Sequence, residues 1–305
     1  MVTTSKDAQA PNQVSGGQSS PAVGGGMGGF DVFKFRFKKW LLSPRPYQML
    51  IGLGAFFLLW WLLVEVLQVT RFHRLPGLTE VFTEWVNPDP IYGLSLWTPV
   101  YYEHAWVSIR RVFYAFSLAV VLGVPLGLFF GYSKRFKEYV FPVFETLRPI
   151  PPLAWVPLAM LMFIGEETTV LFLAFLASFY ATALNTMLGV QSIDESYFRA
   201  ARCLGVSNTQ EFMHVVVPGA LPYIFTGLQI AVGVAWFSLV AAEMVSGEFG
   251  LGFVINTSFT MVRYPTMAIG MITLGIVGYI TSAMVRLLGD YLMQWRTREL
   301  AMGGR

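Results

Sequence analysis

Residues 221–245 read LPYIFTGLQIAVGVAWFSLVAAEMV, a run of twenty-five residues of which only Glu243 is charged. A helix needs about 20 mostly apolar residues to cross the hydrocarbon core of a bilayer. Backbone amides and carbonyls inside lipid must bond within their own segment, so such a run is helical. This stretch therefore predicts a membrane-spanning helix and decides the fold class.

Five further apolar runs of similar length extend this prediction to the rest of the chain. They cover residues 47–69, 111–132, 139–164, 168–190 and 267–291. Charged residues make up 13% of the chain, against about 25% in soluble domains. The sequence thus predicts an all-α membrane protein with six transmembrane helices, and it excludes most soluble enzymes.

The distribution of Lys and Arg predicts the orientation of these helices. With the N-terminus inside, fifteen basic residues fall in inside segments and five in outside segments, which makes both termini cytoplasmic. Residues 1–30, rich in Gly, Ser and Gln, are predicted to be a disordered cytoplasmic tail. Residues 31–46 are predicted to be a basic juxtamembrane segment, and residues 292–305 a second cytoplasmic tail. The outside pair Arg110 and Arg111 fits this assignment least well.

The region between the first and second spans is predicted from weaker signals. Asn87 to Pro90 marks a turn, because Asn-Pro and Asp-Pro pairs favour turn geometry. The flanking residues 81–86 and 101–111 are predicted to form short helices at the outer membrane surface.

Composition also excludes several kinds of site. The net charge of +3 is too small to indicate a nucleic-acid partner. One Cys and three widely separated His exclude a Cys-based metal cluster and a zinc-binding His pair. The sequence has no GxxxxGK[ST] phosphate loop, so the chain cannot hydrolyse ATP by itself. We therefore expect no catalytic residue, no metal and no cofactor in this chain.

A polar loop, residues 191–218, separates the fourth and fifth predicted spans. Residues 192–195, Ser-Ile-Asp-Glu, have the pattern of a capping box and predict a short helix that stops at Gly205. Residues 207–210, Ser-Asn-Thr-Gln, begin a second helix, and Pro218 blocks its regular continuation. The 191–218 loop is therefore predicted to form a compact pair of helices on the cytoplasmic side.

The spacing of small and aliphatic residues in this loop resembles the cytoplasmic EAA loop of bacterial ABC-importer permeases. The family pattern is E-A-A, three residues, G, nine residues, I-x-L-P, and here Arg199 replaces the leading Glu. The resemblance implies that the 191–218 loop couples the chain to a groove on an ATPase subunit. The residues at the matching positions are Arg199, Ala200, Ala201, Gly205, Val215, Val217 and Pro218.

Two other stretches narrow this resemblance. Residues 147–158, LRPIPPLAWVPL, and residues 218–243 are similar to signatures of the permeases for taurine, aliphatic sulfonates, nitrate and bicarbonate. The resemblance implies a type I ABC-importer permease bundle in the bacterial inner membrane that carries a small anion. It also implies the partners: a second permease subunit forming a homodimer, ATPase subunits that bind ATP and Mg, and an extracytoplasmic substrate-binding protein.

Four residues of the predicted spans are candidates for the translocation path or its gates. Arg148 either supplies a positive charge to an anion path, or it extends to the headgroups or pairs with Glu145. Glu243, at the outer end of its span, either gates the path or has a local partner. Trp236 and Asn185 either line the path or pack and bond between helices.

Two other functions stay open from the residues alone. A secondary transporter or channel without an ATPase would use intramembrane carboxylates or His for ion coupling, and the carboxylates of the spans lie near span ends. A membrane-embedded enzyme would carry an HExxH pair or a nucleophile elbow, and the sequence has neither. Neither alternative gives a reason for the 191–218 loop.

Overall fold

The computed structural model describes residues 44–72 and 74–292, and every regular element in these ranges is helical. Contacts between residues divide the chain into a unit that ends at Leu59 and a second unit that begins at Trp60. The predicted tails and most of the juxtamembrane segment lie outside the described residues. The α-helices are α1 (Pro44–Trp61), α2 (Leu78–Val86), α3 (Pro99–Tyr132), α4 (Lys134–Leu147), α5 (Val156–Met162), α6 (Glu166–Gln191), α7 (Glu195–Cys203), α8 (Asn208–Glu211), α9 (Val217–Ser246), α10 (Leu251–Thr260) and α11 (Tyr264–Leu292).

Five helical stretches within the described residues are long and apolar enough to cross a membrane, which confirms the all-α membrane class. They are Tyr47–Val66, Pro99–Tyr132, Glu166–Gln191, Asn208–Val245 and Tyr264–Leu292. Each contains most or all of one predicted span, and only the third predicted span has no counterpart among them. The count of six and the side on which the termini lie therefore remain predictions.

The third predicted span, residues 139–164, is not one helix. It begins within α4, which ends at Leu147, and continues as a 3₁₀ turn, Pro152–Trp155, and the seven-residue helix α5. Proline has no amide hydrogen to donate, so it cannot continue the backbone hydrogen bonds of a helix. Pro149 and Pro151 therefore end α4 and leave the segment in separate pieces.

The helix that contains the second predicted span begins well before residue 111. α3 begins at Pro99 and includes residues 101–111, so the prediction of a separate surface helix there is wrong. Pro99 suits the first helical position because the amide it lacks would have no intrahelical partner. At 1.5 Å per residue α3 is about 51 Å long, whereas the hydrocarbon core is about 30 Å thick.

The short helix α2 agrees with the one predicted at residues 81–86, and it is held by a residue of the first predicted span. The amide and hydroxyl of Thr79 both donate to the Glu65 Oε1, at 2.8 and 3.1 Å. Gly77, the residue before α2, has no side chain with which to cap the helix. Glu65 therefore supplies a negative group where helix N-termini favour one.

Helix α6 is the centre of the second unit, with α3 and α9 packed along it. Glycines four residues apart on α3 form one face on which another backbone can approach closely. A methyl group added to Gly127 would lie 2.6 Å from the Thr186 Cβ, so no larger residue fits without a shift of the helices. The facing positions are Gly123 with Thr182, Gly127 with Thr186, and Gly131 with Val190.

These helices place two polar regions at opposite ends of the bundle. The 191–218 loop lies where α3 and α6 end, at Tyr132 and Gln191. The other end holds the first turn of α6 and the last turn of α9, around Glu167 and Glu243. The two polar clusters described below lie at these two ends.

Candidate functional site

The 191–218 loop folds as the two short helices that its sequence predicts. α7 is followed by α8, and a π turn, Phe212–Val216, runs directly into α9. The chain reverses between α7 and α8 at Gly205, whose φ is +72°. A residue with a Cβ is strained in this left-handed conformation, so glycine is the residue that ends α7 here.

The first helix of the loop begins later than the capping-box pattern indicates. Ser192 is not its N-cap, because the Ser192 hydroxyl donates to the Gly189 carbonyl at 2.8 Å. Asp194 caps α7 instead, and its Oδ1 accepts from the Ser196 amide at 2.7 Å. Hydrogen bonds from the Ser196 side chain and amide hold the pKa of Asp194 below its usual value. A negative charge therefore stays at the N-terminus of α7, where it is favourable.

The second capping box of the loop is confirmed. The Ser207 hydroxyl accepts from the Gln210 amide at 3.4 Å, and the Gln210 Oε1 accepts from the Ser207 amide at 3.1 Å. Each side chain thus satisfies a backbone amide that the start of a helix leaves without a partner. The box fixes where the continuous helical run that becomes α9 begins.

Replacing Ser207 with Ala should loosen this start. An N-cap side chain contributes about 1 kcal/mol to helix stability, so we expect faster amide hydrogen exchange in residues 208–211. The matched control is Ser192→Ala, which removes a hydroxyl from the same loop. The Ser192 hydroxyl donates to a carbonyl, so its loss leaves the capping bonds of α7 and α8 in place. Equal exchange in the two variants would remove the capping role of Ser207.

Glu211 connects the loop to the end of α3, a role that its sequence pattern does not indicate beyond the presence of a charge in the loop. Its side chain is buried, and it accepts from the Tyr132 hydroxyl at 3.4 Å and from the Arg202 Nε at 3.5 Å. Phe212 stacks on Phe129, with 5.8 Å between ring centroids. Polar and aromatic contacts together fix the loop against α3.

A groove of about 420 Å³ runs between α7 and the π turn. It brings together three of the predicted coupling residues, because Ala200, Ala201 and Val215 all line it. The other lining residues are Tyr197, Leu204, Val206, Gln210 and His214. Of the remaining coupling residues, Arg199, Gly205 and Pro218 are exposed and Val217 is half-buried where α9 begins. The small side chains thus leave an open, mostly apolar hollow in the loop.

The structure places three of the predicted path residues apart from one another. Arg148 is exposed directly after α4, and within the described residues it forms no ion pair. Asn185 is half-buried, and its Nδ2 donates to the Ala181 carbonyl at 2.8 Å. Trp236 is buried, and its Nε1 donates to the Thr281 hydroxyl of α11 at 2.9 Å. The Asn185 bond lies within α6, and the Trp236 bond joins α9 to α11.

Glu243 is buried and has several local partners. Its carboxylate accepts from the Ser108 hydroxyl at 2.9 Å, from the Arg111 Nη1 at 3.0 Å and from the Gly252 amide at 2.9 Å. A carboxylate within a membrane helix is costly unless such groups compensate its charge. The sequence left two interpretations of Glu243, a gate of the path or a carboxylate with a local partner, and the geometry shows the local partners.

Arg111 is a buried charged residue that was not among the site residues predicted from the sequence. It is buried in α3, and its Nε donates to the Glu167 Oε2 at 2.9 Å while its Nη1 donates to the Phe249 carbonyl at 2.6 Å. The exposed Arg110 pairs with the same Glu167 at 3.1 Å. The one indication in the sequence was that Arg110 and Arg111 fit the orientation predicted from Lys and Arg less well than the other basic residues. We call Ser108, Arg111, Glu167 and Glu243 the outer network.

Comparisons with known proteins identify the family. The family described as "Binding-protein-dependent transport system inner membrane component" matches residues 123–298. The chain is 33% identical to the taurine transport system permease protein of Escherichia coli K12, over 84% of this chain and 92% of that protein. It is 30% identical to the nitrate import permease protein of Synechocystis, over 81% and 90%. It is 32% identical to the bicarbonate transport system permease protein of Synechococcus elongatus, over 86% and 94%.

A solved structure of similar fold is the methionine ABC transporter MetNI in inward-facing conformations. The similarity has a TM-score of 0.50 at 20% identity and covers 62% of this chain and 92% of that one. It supports the fold of the bundle. Given the family match and these relatives, the chain is a transport subunit and not an enzyme, and it belongs to the inner-membrane permease components of binding-protein-dependent ABC importers.

Proposed function

We propose that this chain carries a small anion of the taurine, aliphatic sulfonate, nitrate or bicarbonate class into the cell, driven by ATP. The anion class is supported by the names of the relatives, which are permeases for taurine, nitrate and bicarbonate. In this assembly two copies of the chain form a homodimer, both termini are cytoplasmic, and an extracytoplasmic binding protein delivers the anion.

The observation that carries the proposal is the 191–218 loop with its groove. Two capped helices present a mostly apolar hollow lined by Ala200, Ala201 and Val215, and Glu211 fixes this surface to the end of α3. Such a surface suits a protruding apolar side chain of a partner. We infer that the partner is the ATPase subunit, which binds the ATP and Mg that this chain has no phosphate loop to hold.

Among the candidate path residues, Arg148 is the one we assign to the anion path. It is exposed at the break between α4 and the 3₁₀ turn, where the backbone of the third segment is irregular. Irregular backbone at membrane depth is tolerated where it lines a cavity or packs against protein. For Trp236, Asn185 and Glu243 the bonds inside the bundle favour a structural role over contact with the anion.

The proposal predicts ATP-dependent uptake by a purified complex. The tagged chain should co-purify with an ATPase subunit and with a differently tagged copy of itself. Reconstituted into liposomes with ATP enclosed and the binding protein outside, the complex should take up labelled taurine, nitrate or bicarbonate, and uptake should be lost without ATP. An isolated chain that carries the anion with no ATPase and no ATP would instead establish the secondary transporter.

A further inference from the structure

The outer network joins four elements at the end of the bundle opposite the 191–218 loop. Ser108 and Arg111 belong to α3, Glu167 to the first turn of α6, and Glu243 to the last turn of α9. The fourth element is the turn that leads into α10, whose backbone bonds the same side chains.

The start of α10 is held by side chains of other helices. The amides of Gly250, Leu251 and Gly252 donate to the His104 Nδ1 at 3.1 Å, to the Ser108 hydroxyl at 2.9 Å and to the Glu243 Oε2 at 2.9 Å. Gly250 has a φ of +124°, and a Cβ there would overlap the Glu243 carboxylate. The first turn of α10 thus lies directly on α3 and α9, with no cap from its own side chains.

Stability alone does not account for this arrangement. A buried ion pair loses much of its Coulomb attraction to desolvation, and well-packed apolar residues often stabilise a protein as well or better. The outer network instead provides directional hydrogen bonds between elements. Glu243 accepts from the side chains of Ser108 and Arg111 and from one α10 amide, and Arg111 also donates to the Phe249 carbonyl. These bonds fix α10 in one position relative to α3 and α9.

The helix that carries Glu243 also begins at the 191–218 loop. Residues Asn208–Val245 form one helical run of 38 residues, which is about 57 Å at 1.5 Å per residue. The Ser207 cap stands at one end of this run and Glu243 near the other. A displacement of the loop therefore moves Glu243, and through its bonds the start of α10.

We propose that Ser108, Arg111 and Glu243 are positioning residues for transport, which make α10 follow the movement of α9 when the ATPase acts on the 191–218 loop. This inference rests on the proposed function, because it needs an ATPase partner. In this account α9 carries the movement from the 191–218 loop to the opposite end of the bundle, and the outer network transmits it there to α10.

The experiment reports the position of α10 in the purified complex of permease, ATPase and binding protein. Cys203→Ser removes the single cysteine of the chain, and Met261→Cys places a thiol at an exposed position directly after α10. The labelling rate of this thiol by a membrane-impermeant maleimide is measured without nucleotide and with ATP and vanadate. We expect a nucleotide-dependent difference, and we expect Glu243→Gln and Ser108→Ala each to abolish it while ATPase binding persists.

Two controls separate positioning from general damage. Glu248→Gln makes the same chemical change on an exposed carboxylate of the same turn and should keep the nucleotide-dependent difference. Ile91→Cys, on an exposed loop before α3, should label at one rate in both states. A full nucleotide-dependent difference in Glu243→Gln, or none in the parent complex, overturns the inference and leaves the proposed function standing. Failure of the chain to bind any ATPase overturns the proposed function itself.

Discussion

Replacing Gly205 with proline should abolish association of the chain with its ATPase subunit while the chain still inserts in the membrane. Proline fixes φ near −65°, whereas Gly205 has a φ of +72° and donates its amide to the Arg202 carbonyl at 3.1 Å. The substitution therefore destroys the reversal between α7 and α8 and separates the two walls of the groove. Co-purification of the ATPase with the tagged variant measures the effect.

The chain offers a matched control for this substitution. Gly93 also has a positive φ, +79°, and lies in the loop before α3, at the other end of the bundle. Gly93→Pro imposes the same backbone conflict there and should leave ATPase association intact. If the Gly205 variant keeps its ATPase, or if both variants lose it, the assignment of the 191–218 loop as the coupling surface fails.

Replacing Arg111 with Met should cost about 3–5 kcal/mol of stability, the loss expected when one member of a buried ion pair is removed. Glu243 is almost fully buried, and among the described residues Arg111 is its one ion-pair partner, so the substitution would leave its charge uncompensated. We expect a lower melting temperature of the detergent-purified chain and a smaller folded fraction. Adding Glu243→Gln, which removes the uncompensated charge and keeps an acceptor for the Gly252 amide, should restore part of this loss.

The neighbouring Arg110 is the control that distinguishes the effect of burial from the effect of losing a positive charge. Arg110→Met removes the same group from an exposed pair with Glu167, whose side chains are 45% and 44% accessible. Exposed pairs contribute about 1 kcal/mol or less, so this variant should melt close to the parent. Equal melting of the Arg110 and Arg111 variants would contradict the buried-pair account, as would a double variant less stable than Arg111→Met alone.

The features that could be predicted from sequence are those that depend on neighbours along the chain. The apolar run 221–245 lies within α9, and the Ser207 box and the Gly205 stop appear as their local patterns predict. The four-residue spacing of Gly123, Gly127 and Gly131 is a local pattern typical of close helix packing, and in the structure these glycines contact α6. An apolar segment in lipid has to satisfy its own backbone hydrogen bonds, so few conformations other than a helix are open to it.

The features that could not be predicted depend on residues far apart in sequence. Arg111 lies 132 positions from Glu243 in the chain, and the two meet because α3 and α9 pack on α6 and on each other. The capping pattern indicates Ser192 as the start of α7, but the Ser192 hydroxyl donates to the Gly189 carbonyl and Asp194 caps the helix instead.

The π turn at Phe212–Val216 sets a limit on how the length of this region can vary in evolution. A π turn accommodates one residue more than a regular helix, and each residue rotates an α-helix by about 100°. Deleting one residue from this turn would leave α9 helical but would swing α7 and α8 around its axis. The groove would then face a different direction while the membrane part stayed unchanged. The residue count between Ser207 and Val217 therefore helps to set the angle at which the loop meets its partner.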